Sequence, residues 1–307
     1  DYYGAWFIRG GALRRLERYE EAIASYDQAI AVNPYNYLAW NNRGFTLEYL
    51  ERYEKAIANF DQAIALNPDE FYAWNCRGIE LSKLERYEEA IASLDQAIAL
   101  NPDDYEPWYN RGTALYDLER YEEAIASLDQ AITLNIDYYL AWNYRGVSLI
   151  NLERYEEAIA SLDQAIALNP DDSSAWFMRG FTLGNLERYE EAIASFNQLI
   201  ALNPDDSTAW NNLGFLYLIQ NQPQKAKSSL NRSLQINANF FYPLFNLGLV
   251  HVIDNNIKEA KRLIQKSLNY CNGDDTQEKL YIAIGTIALG QKQDGLQNLQ
   301  DILSTLT

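Results

Sequence analysis

Apolar and small residues recur along this chain at helical spacing, three or four apart, in short runs broken by polar punctuation. In residues 40–47 they are Trp40, Gly44 and Leu47, and in the next run Ala56, Phe60, Ala63 and Ile64. The polar pair Glu51-Arg52 separates the two runs. Asn67-Pro68 ends the second, because proline cannot continue a helix. The pattern predicts two short antiparallel helices. Helices this short are marginal alone in water, so each must bury its apolar face on neighbours.

The pattern then repeats. Trp6, Trp40, Trp74, Trp108, Trp142, Trp176 and Trp210 each stand 34 residues after the last. A fixed period of this size signals stacked units in one solenoid, not compact domains. Four residues after each tryptophan sits a glycine, from Gly10 to Gly214, with Gly248 following Leu244. Sixteen after it sits an alanine, from Ala22 to Ala226 and then Ala260. A mid-helix glycine costs about 1 kcal/mol against alanine. Its recurrence implies a helix–helix approach with no room for a side chain, with the tryptophan as a wedge between hairpins. Ile136 and Ala238 replace the terminal proline of two units, which predicts looser turns there.

Tryptophan, then glycine, alanine, a large apolar residue twenty on (Tyr26, Phe60, Leu94) and a closing proline: this series resembles the tetratricopeptide repeat. Eight repeats match over residues 3–274, with a degenerate ninth helical pair at 275–307 as a cap. The resemblance implies an all-α right-handed superhelical solenoid, its first helices lining a concave groove and its second helices forming the back. Two positions depart from the family: Arg9, Arg43, Arg77, Arg111, Arg145 and Arg179 stand where leucine is usual, and Leu13, Leu47 and their successors where tyrosine is usual. Where that arginine is present, the second helix carries Asp27, Asp61, Asp95, Asp129 or Asp163, with Asn197 the exception. Where it becomes Leu213 or Leu247, the acid becomes Asn231 or Gln265. A charge near a helix interface needs a partner, so an Arg–Asp pair is expected, within or between repeats. Shared ancestry through recent duplication would also explain the covariation.

Composition narrows the biology. The 307 residues are 48% hydrophobic and 22% charged, which marks a folded chain, and no apolar run is long enough to span a membrane. Twenty-five basic against 43 acidic residues give a net charge of −18, so phosphate backbones are poor partners. The acid is uneven: the six near-identical repeats of 1–206 carry it, while the diverged repeats of 207–274 and the segment 275–307 do not. It falls on the Glu-Arg-Tyr-Glu-Glu elbows and Asn-Pro-Asp-Asp turns, so the groove is expected to be far less charged than the total. Cys76 and Cys271 lie too far apart to pair, which favours a reducing, cytoplasmic compartment. The opening Asp-Tyr-Tyr-Gly-Ala-Trp matches residues 137–142, so the chain is expected to begin at a repeat boundary of a longer protein. An uncapped first repeat would then offer a face for end-to-end self-association.

Chemistry for catalysis is scarce. His251 falls in a core slot, and no cysteine–histidine cluster, phosphate-cradling glycine loop or Ser/His/Asp grouping is present. No cofactor is implied, and the chain is expected not to be an enzyme. The second helices are near copies, whereas residues just after the tryptophans vary, as on a recognition surface. Asn42, Asn75, Asn110, Asn143, Asn211 and Asn246 would form an amide ladder for the N–H and C=O groups of an extended peptide, as in some grooves of the resembled family, although asparagine is common there in general. Tyr109, Tyr144, Phe177, Phe181, Phe215 and Phe245 would supply apolar pockets. The Lys/Asn/Arg clamp by which a chaperone-binding subclass holds a terminal carboxylate is absent. The expected function is a protein-interaction scaffold holding an extended peptide or partner helix in the groove. The alternative is a regulatory arm of a larger enzyme (kinase, caspase-like protease or transferase).

Overall fold

Each 34-residue period folds as one helical hairpin in a computed structural model of the protein, which describes residues 2–270. Sixteen helices are present among the described residues, and no strand. In residues 1–170 the five hairpins pair α1 (Tyr2–Arg15) with α2 (Tyr19–Val32), α3 (Tyr37–Glu48) with α4 (Tyr53–Leu66), α5 (Phe71–Lys83) with α6 (Tyr87–Leu100), α7 (Tyr105–Asp117) with α8 (Tyr121–Leu134), and α9 (Tyr139–Asn151) with α10 (Tyr155–Leu168). A second unit begins at residue 171. Its hairpins pair α11 (Ser173–Asn185) with α12 (Tyr189–Leu202), α13 (Ser207–Ile219) with α14 (Pro223–Ile236), and α15 (Phe241–Ile253) with α16 (Ile257–Leu268). Cys271 and the expected ninth helical pair lie outside the described residues.

The glycine four after each tryptophan sits where the hairpin is tightest. A Cβ at Gly112 would lie 2.7 Å from Leu128 Cγ, with the Ala124 carbonyl oxygen behind at 3.3 Å. Leu128 and Ala124 are both fully buried, so neither has free space to retreat into. The same approach recurs at Gly44, where the neighbour is the Phe60 ring at 2.8 Å. The cost of a mid-helix glycine is thus offset by packing that no larger residue allows.

The tryptophans hold turns as well as filling space. From Trp40, Trp74, Trp108, Trp142 and Trp210 the indole N–H reaches a carbonyl of the preceding turn: Trp40 donates to Pro34 O at 2.9 Å and Trp74 to Pro68 O at 2.9 Å. Trp142 donates to Ile136 O at 2.9 Å. The turn with Ile136 in place of proline keeps this bond. The Asp-Asp turns are helix caps: Asp104 accepts from Glu106 N–H at 3.0 Å, and Asp206 from Thr208 and Ala209 N–H, both at 2.9 Å.

The elbow between paired helices carries a feature the pattern hides. Glu17, Glu51, Glu85, Glu119, Glu153 and Glu187 adopt φ of 55–60°, the left-handed region that normally takes glycine. Around Glu119 the bonds Arg120 N to Leu115 O (2.9 Å) and Glu119 N to Tyr116 O (2.9 Å) form a Schellman turn. The next residue grips the following helix: Arg120 reaches Glu123 through two nitrogens, at 2.7 and 2.6 Å. Hydrogen bonding to that arginine holds the Glu123 carboxyl below its usual range.

The arginine that replaces the family's leucine bridges two repeats. Arg111 Nε pairs with Asp95 of the preceding hairpin at 2.7 Å, while its Nη1 donates to Ser127 of its own hairpin at 2.6 Å. Arg145 repeats this with Asp129 at 2.6 Å and Ser161 at 2.6 Å, and Arg43 and Arg77 pair with Asp27 and Asp61 at 2.8 and 2.7 Å. The Arg–Asp pairs therefore run between repeats. Consecutive first helices touch one another from α1 to α9, and α13 touches α15. Second helices do not approach each other to that degree, so the first helices form the inner side of each unit.

Candidate functional site

The inner side is built from residues one and two after each tryptophan and from those a turn later. The expected asparagine ladder lies on two registers, and it is largely turned on itself. Asn75, Asn143, Asn211 and Asn246 are buried, at 2–7% exposure. Asn110 Nδ2 donates to Asn75 Oδ1 at 3.0 Å, and Asn246 Nδ2 to Asn211 Oδ1 at 3.1 Å, each bond joining the first helices of adjacent hairpins. Asn42 is spent on its own helix, donating to Leu38 O at 2.8 Å. A buried amide finds a partner wherever one is in reach, and the neighbouring amide is nearer than solvent. The ladder is thus first a set of struts between repeats.

One of these amides has capacity left. Asn246 Oδ1 is buried and accepts no hydrogen bond among the described residues. It lies at the wall of a cleft of about 540 Å³ formed by α11, α13 and α15 in the second unit. Phe177, Met178, Phe181, Phe215, Ile219 and Tyr242 line the cleft, with Asn211 and Asn212 beside Asn246. Phe181 and Phe215 are 45% and 39% exposed, so their rings are open to a ligand. Phe177 meets Phe196 edge to face at 5.9 Å, which fixes the back of the cleft. Phe245, expected to supply a pocket, is instead 1% exposed and packed in the core with Phe241 and Ile264. It shares the register of Asn75 and Asn211, which are also buried, and of Phe177, which is not.

In residues 1–170 the inner side is aromatic and acidic. Tyr109 meets Tyr138 and Tyr144 edge to face, at 4.9 and 5.8 Å, and Tyr144 meets Tyr116 at 5.8 Å. Burial pushes the Tyr109 phenol up, and that of Tyr138 up to about 12, so both stay protonated at neutral pH. Beside them the expectation of a weakly charged groove fails. Glu48, Glu80, Glu106 and Asp117 stand on α3, α5 and α7, and Lys83 supplies the local ammonium, at 2.8 Å from Glu48 and 3.1 Å from Glu80. Glu80 is wholly buried, and its Oε2 has no hydrogen-bond partner among the described residues. Burial, with the Glu48 charge adding to it, pushes its carboxyl up to about 7. The sequence held a signal: Glu80 stands where the other repeats have Thr46, Ala114, Ser148 and Thr182.

Other groups carry little chemistry. The Cys76 thiol is buried and pushed up by that burial, which makes it a poor nucleophile. His251 is 9% exposed in the core slot expected for it. No cluster of three or more histidine, cysteine or carboxylate side chains that could hold a metal occurs among the described residues, and no described helix is long and apolar enough to cross a membrane.

These hairpins, stacked through a tight glycine and pinned by a tryptophan, define a helical-repeat scaffold, a class of fold that serves protein interaction. Family models described as tetratricopeptide repeat match residues 37–70, 59–92, 76–139, 145–211 and 195–228, and one described as TPR repeat matches 10–48. The chain belongs to the tetratricopeptide repeat family. No curated protein matches it. Among solved structures it is similar to YrrB, described as a TPR protein with an unusual peptide-binding site, at 25% identity and a TM-score of 0.54, over 60% of this chain and 95% of that one. A tetratricopeptide repeat protein from Parabacteroides merdae is similar over 81% of this chain and 98% of its own, at 16% identity and a TM-score of 0.60. MamA from Desulfovibrio magneticus is similar over 56% and 97%, at 21% identity and a TM-score of 0.53.

Proposed function

We propose that the protein is a peptide-binding scaffold and that the cleft of the second unit receives an apolar side chain of an extended segment. The observation that carries this reading is the pairing of open aromatic rings with a buried, unsatisfied acceptor. Phe181, Phe215 and Ile219 offer apolar area, and Asn246 Oδ1, an unsatisfied acceptor behind them, would be completed by an entering donor such as a peptide N–H once the cleft adjusts to admit it. A peptide brings both groups in adjacent positions, its side chain for the rings and its amide for the asparagine. The likeness to YrrB, described as having a peptide-binding site, agrees with this class of ligand.

The test is peptide selection from a random library, followed by affinity measurement by fluorescence polarisation. Selected peptides carry a bulky apolar residue. Phe181→Ser and Phe215→Ser, at partly exposed positions, each weaken binding by about 2 kcal/mol, a factor of about 30. Selected peptides that bind both variants as well as the parent chain rule the cleft out.

A further inference from the structure

The first unit offers a different surface. On α5, α7 and α9 the three arginines are all directed to the second helices: Arg77, Arg111 and Arg145 pair with Asp61, Asp95 and Asp129 and with serines there. Lys83 is taken by Glu48 and Glu80. Glu106 and Asp117, both exposed, form no ion pair among the described residues. The tyrosines lie between these acids. Tyr138 feels the charge of Glu106, Tyr144 that of Asp117, and Cys76 those of Glu48, Glu80 and Glu106 together. The half-buried rings of Tyr105, Tyr109, Tyr138 and Tyr144 stand 4.8–5.8 Å apart in edge-to-face and tilted pairs. Aromatic faces bordered by unpaired carboxylates attract a cation twice, through ring quadrupole and through charge.

We propose that this face of α5, α7 and α9 is a docking site for an arginine-bearing extended peptide, with guanidinium groups seated on the tyrosines between Glu106 and Asp117. Arginine fits better than lysine because its planar group stacks on rings while bonding a carboxylate at its edge. Glu106 and Asp117 stand near the two ends of α7, a helical rise of about 16 Å apart, so an extended chain rising about 3.3 Å per residue would bring arginines four or five residues apart to the two acids. Although both side chains are exposed, partial desolvation by their neighbours raises the carboxyls of Glu106 and Asp117 above their usual range, and an incoming cation would offset it. The inference shares with the preceding proposal the idea that inner faces bind peptide, but it uses no residue of the second unit.

The probe is the peptide Ac-Ala-Arg-Ala-Ala-Ala-Arg-Ala-NH2, compared with its citrulline isostere, which keeps shape and loses charge. Calorimetry on the full chain is expected to show the arginine peptide binding at least about tenfold tighter, with the gap closing at high salt. In the double variant Glu106→Gln/Asp117→Asn the gap falls below about twofold, while thermal unfolding by circular dichroism stays unchanged because both side chains are exposed. Tyr138→Leu weakens the arginine peptide more than the isostere. Equal affinities, no binding at about 1 mM peptide, or a gap that survives in the double variant would each overturn the proposal. Phe181→Ser/Phe215→Ser serves as the control: if it abolishes arginine-peptide binding, this site falls and the cleft stands.

Discussion

Gly112→Ala is a small change with a calculable penalty. The new methyl would lie 2.7 Å from Leu128 Cγ and 2.9 Å from its Cδ2. Ordinary contact begins near 3.4 Å, so Leu128 must move by several tenths of an ångström. The clash is with the root of its side chain, and the Ala124 carbonyl oxygen at 3.3 Å limits movement of the helix itself. Overpacking of this kind costs up to about 3 kcal/mol, and alanine returns about 1 kcal/mol of helix propensity, leaving a net loss of about 2 kcal/mol. Leu128→Ala alone opens a cavity at a fully buried site and costs about 2–5 kcal/mol. In that background the clash is gone, so Gly112→Ala is expected to stabilise by about 1 kcal/mol. The change of sign is a coupling of about 3 kcal/mol between residues in contact. Repeat arrays do not unfold in one step, so the assay is hydrogen exchange resolved by helix, read on α7 and α8, with urea melts as support. If Gly112→Ala stabilises both backgrounds equally, the close-approach account of the glycine column is wrong.

Two further outcomes follow from the elbows and the buried acid. Glu119 sits at φ 60°, so Glu119→Gly should stabilise the α7–α8 hairpin by roughly 1 kcal/mol, read by the same exchange measurement, whereas a loss would mean that the side chain has a role the turn does not reveal. Glu80 has a folded value raised to about 7, above its usual 4.5, so the folded state keeps its proton where the unfolded state has lost it. Its contribution to stability is therefore fullest at low pH and is lost as pH rises from 4.5 through about 7. Melting temperatures of the parent chain should fall between about pH 5.5 and pH 8 more steeply than those of Glu80→Gln, and equal slopes would remove Glu80 as the cause.

The fold was legible because the same few residues recur at a fixed step. Trp40, Gly44, Ala56 and Phe60 state the hairpin, and seven further copies restate it. The Arg–Asp pairing was also readable, since both residues are lost in the diverged repeats, but its direction was not: spacing of 34 does not say whether Arg111 faces Asp95 or Asp129, and only pairing with the preceding repeat makes Asn197 the counterpart of Leu213. The site was less legible. Asparagine next to tryptophan reads the same whether its amide meets a ligand or, as with Asn110 and Asn75, the next repeat. Phe245 shares its register with Phe177, which lines the cleft, and only the structure shows it packed in the core against Phe241 and Ile264. Glu80 was visible as an exception within its column, yet only the structure shows it wholly buried beside Glu48 and Lys83.

The bridging arginines have a consequence for how the array comes apart. In residues 1–170 each junction between consecutive hairpins carries the same ion pair, from Arg43 with Asp27 to Arg145 with Asp129. At two later junctions the corresponding positions are Leu213 with Asn197 and Leu247 with Asn231, which cannot form that ion pair. Half-exposed pairs of this kind are worth about 0–1 kcal/mol each and weaken with salt, while apolar junctions do not. Ionic strength therefore acts as a dial on these four links in residues 1–170 and has no such pair to act on where Leu213 and Leu247 stand. Raising it moves the place where fraying is cheapest toward the near-identical repeats, so identical sequence units need not share one strength under all conditions.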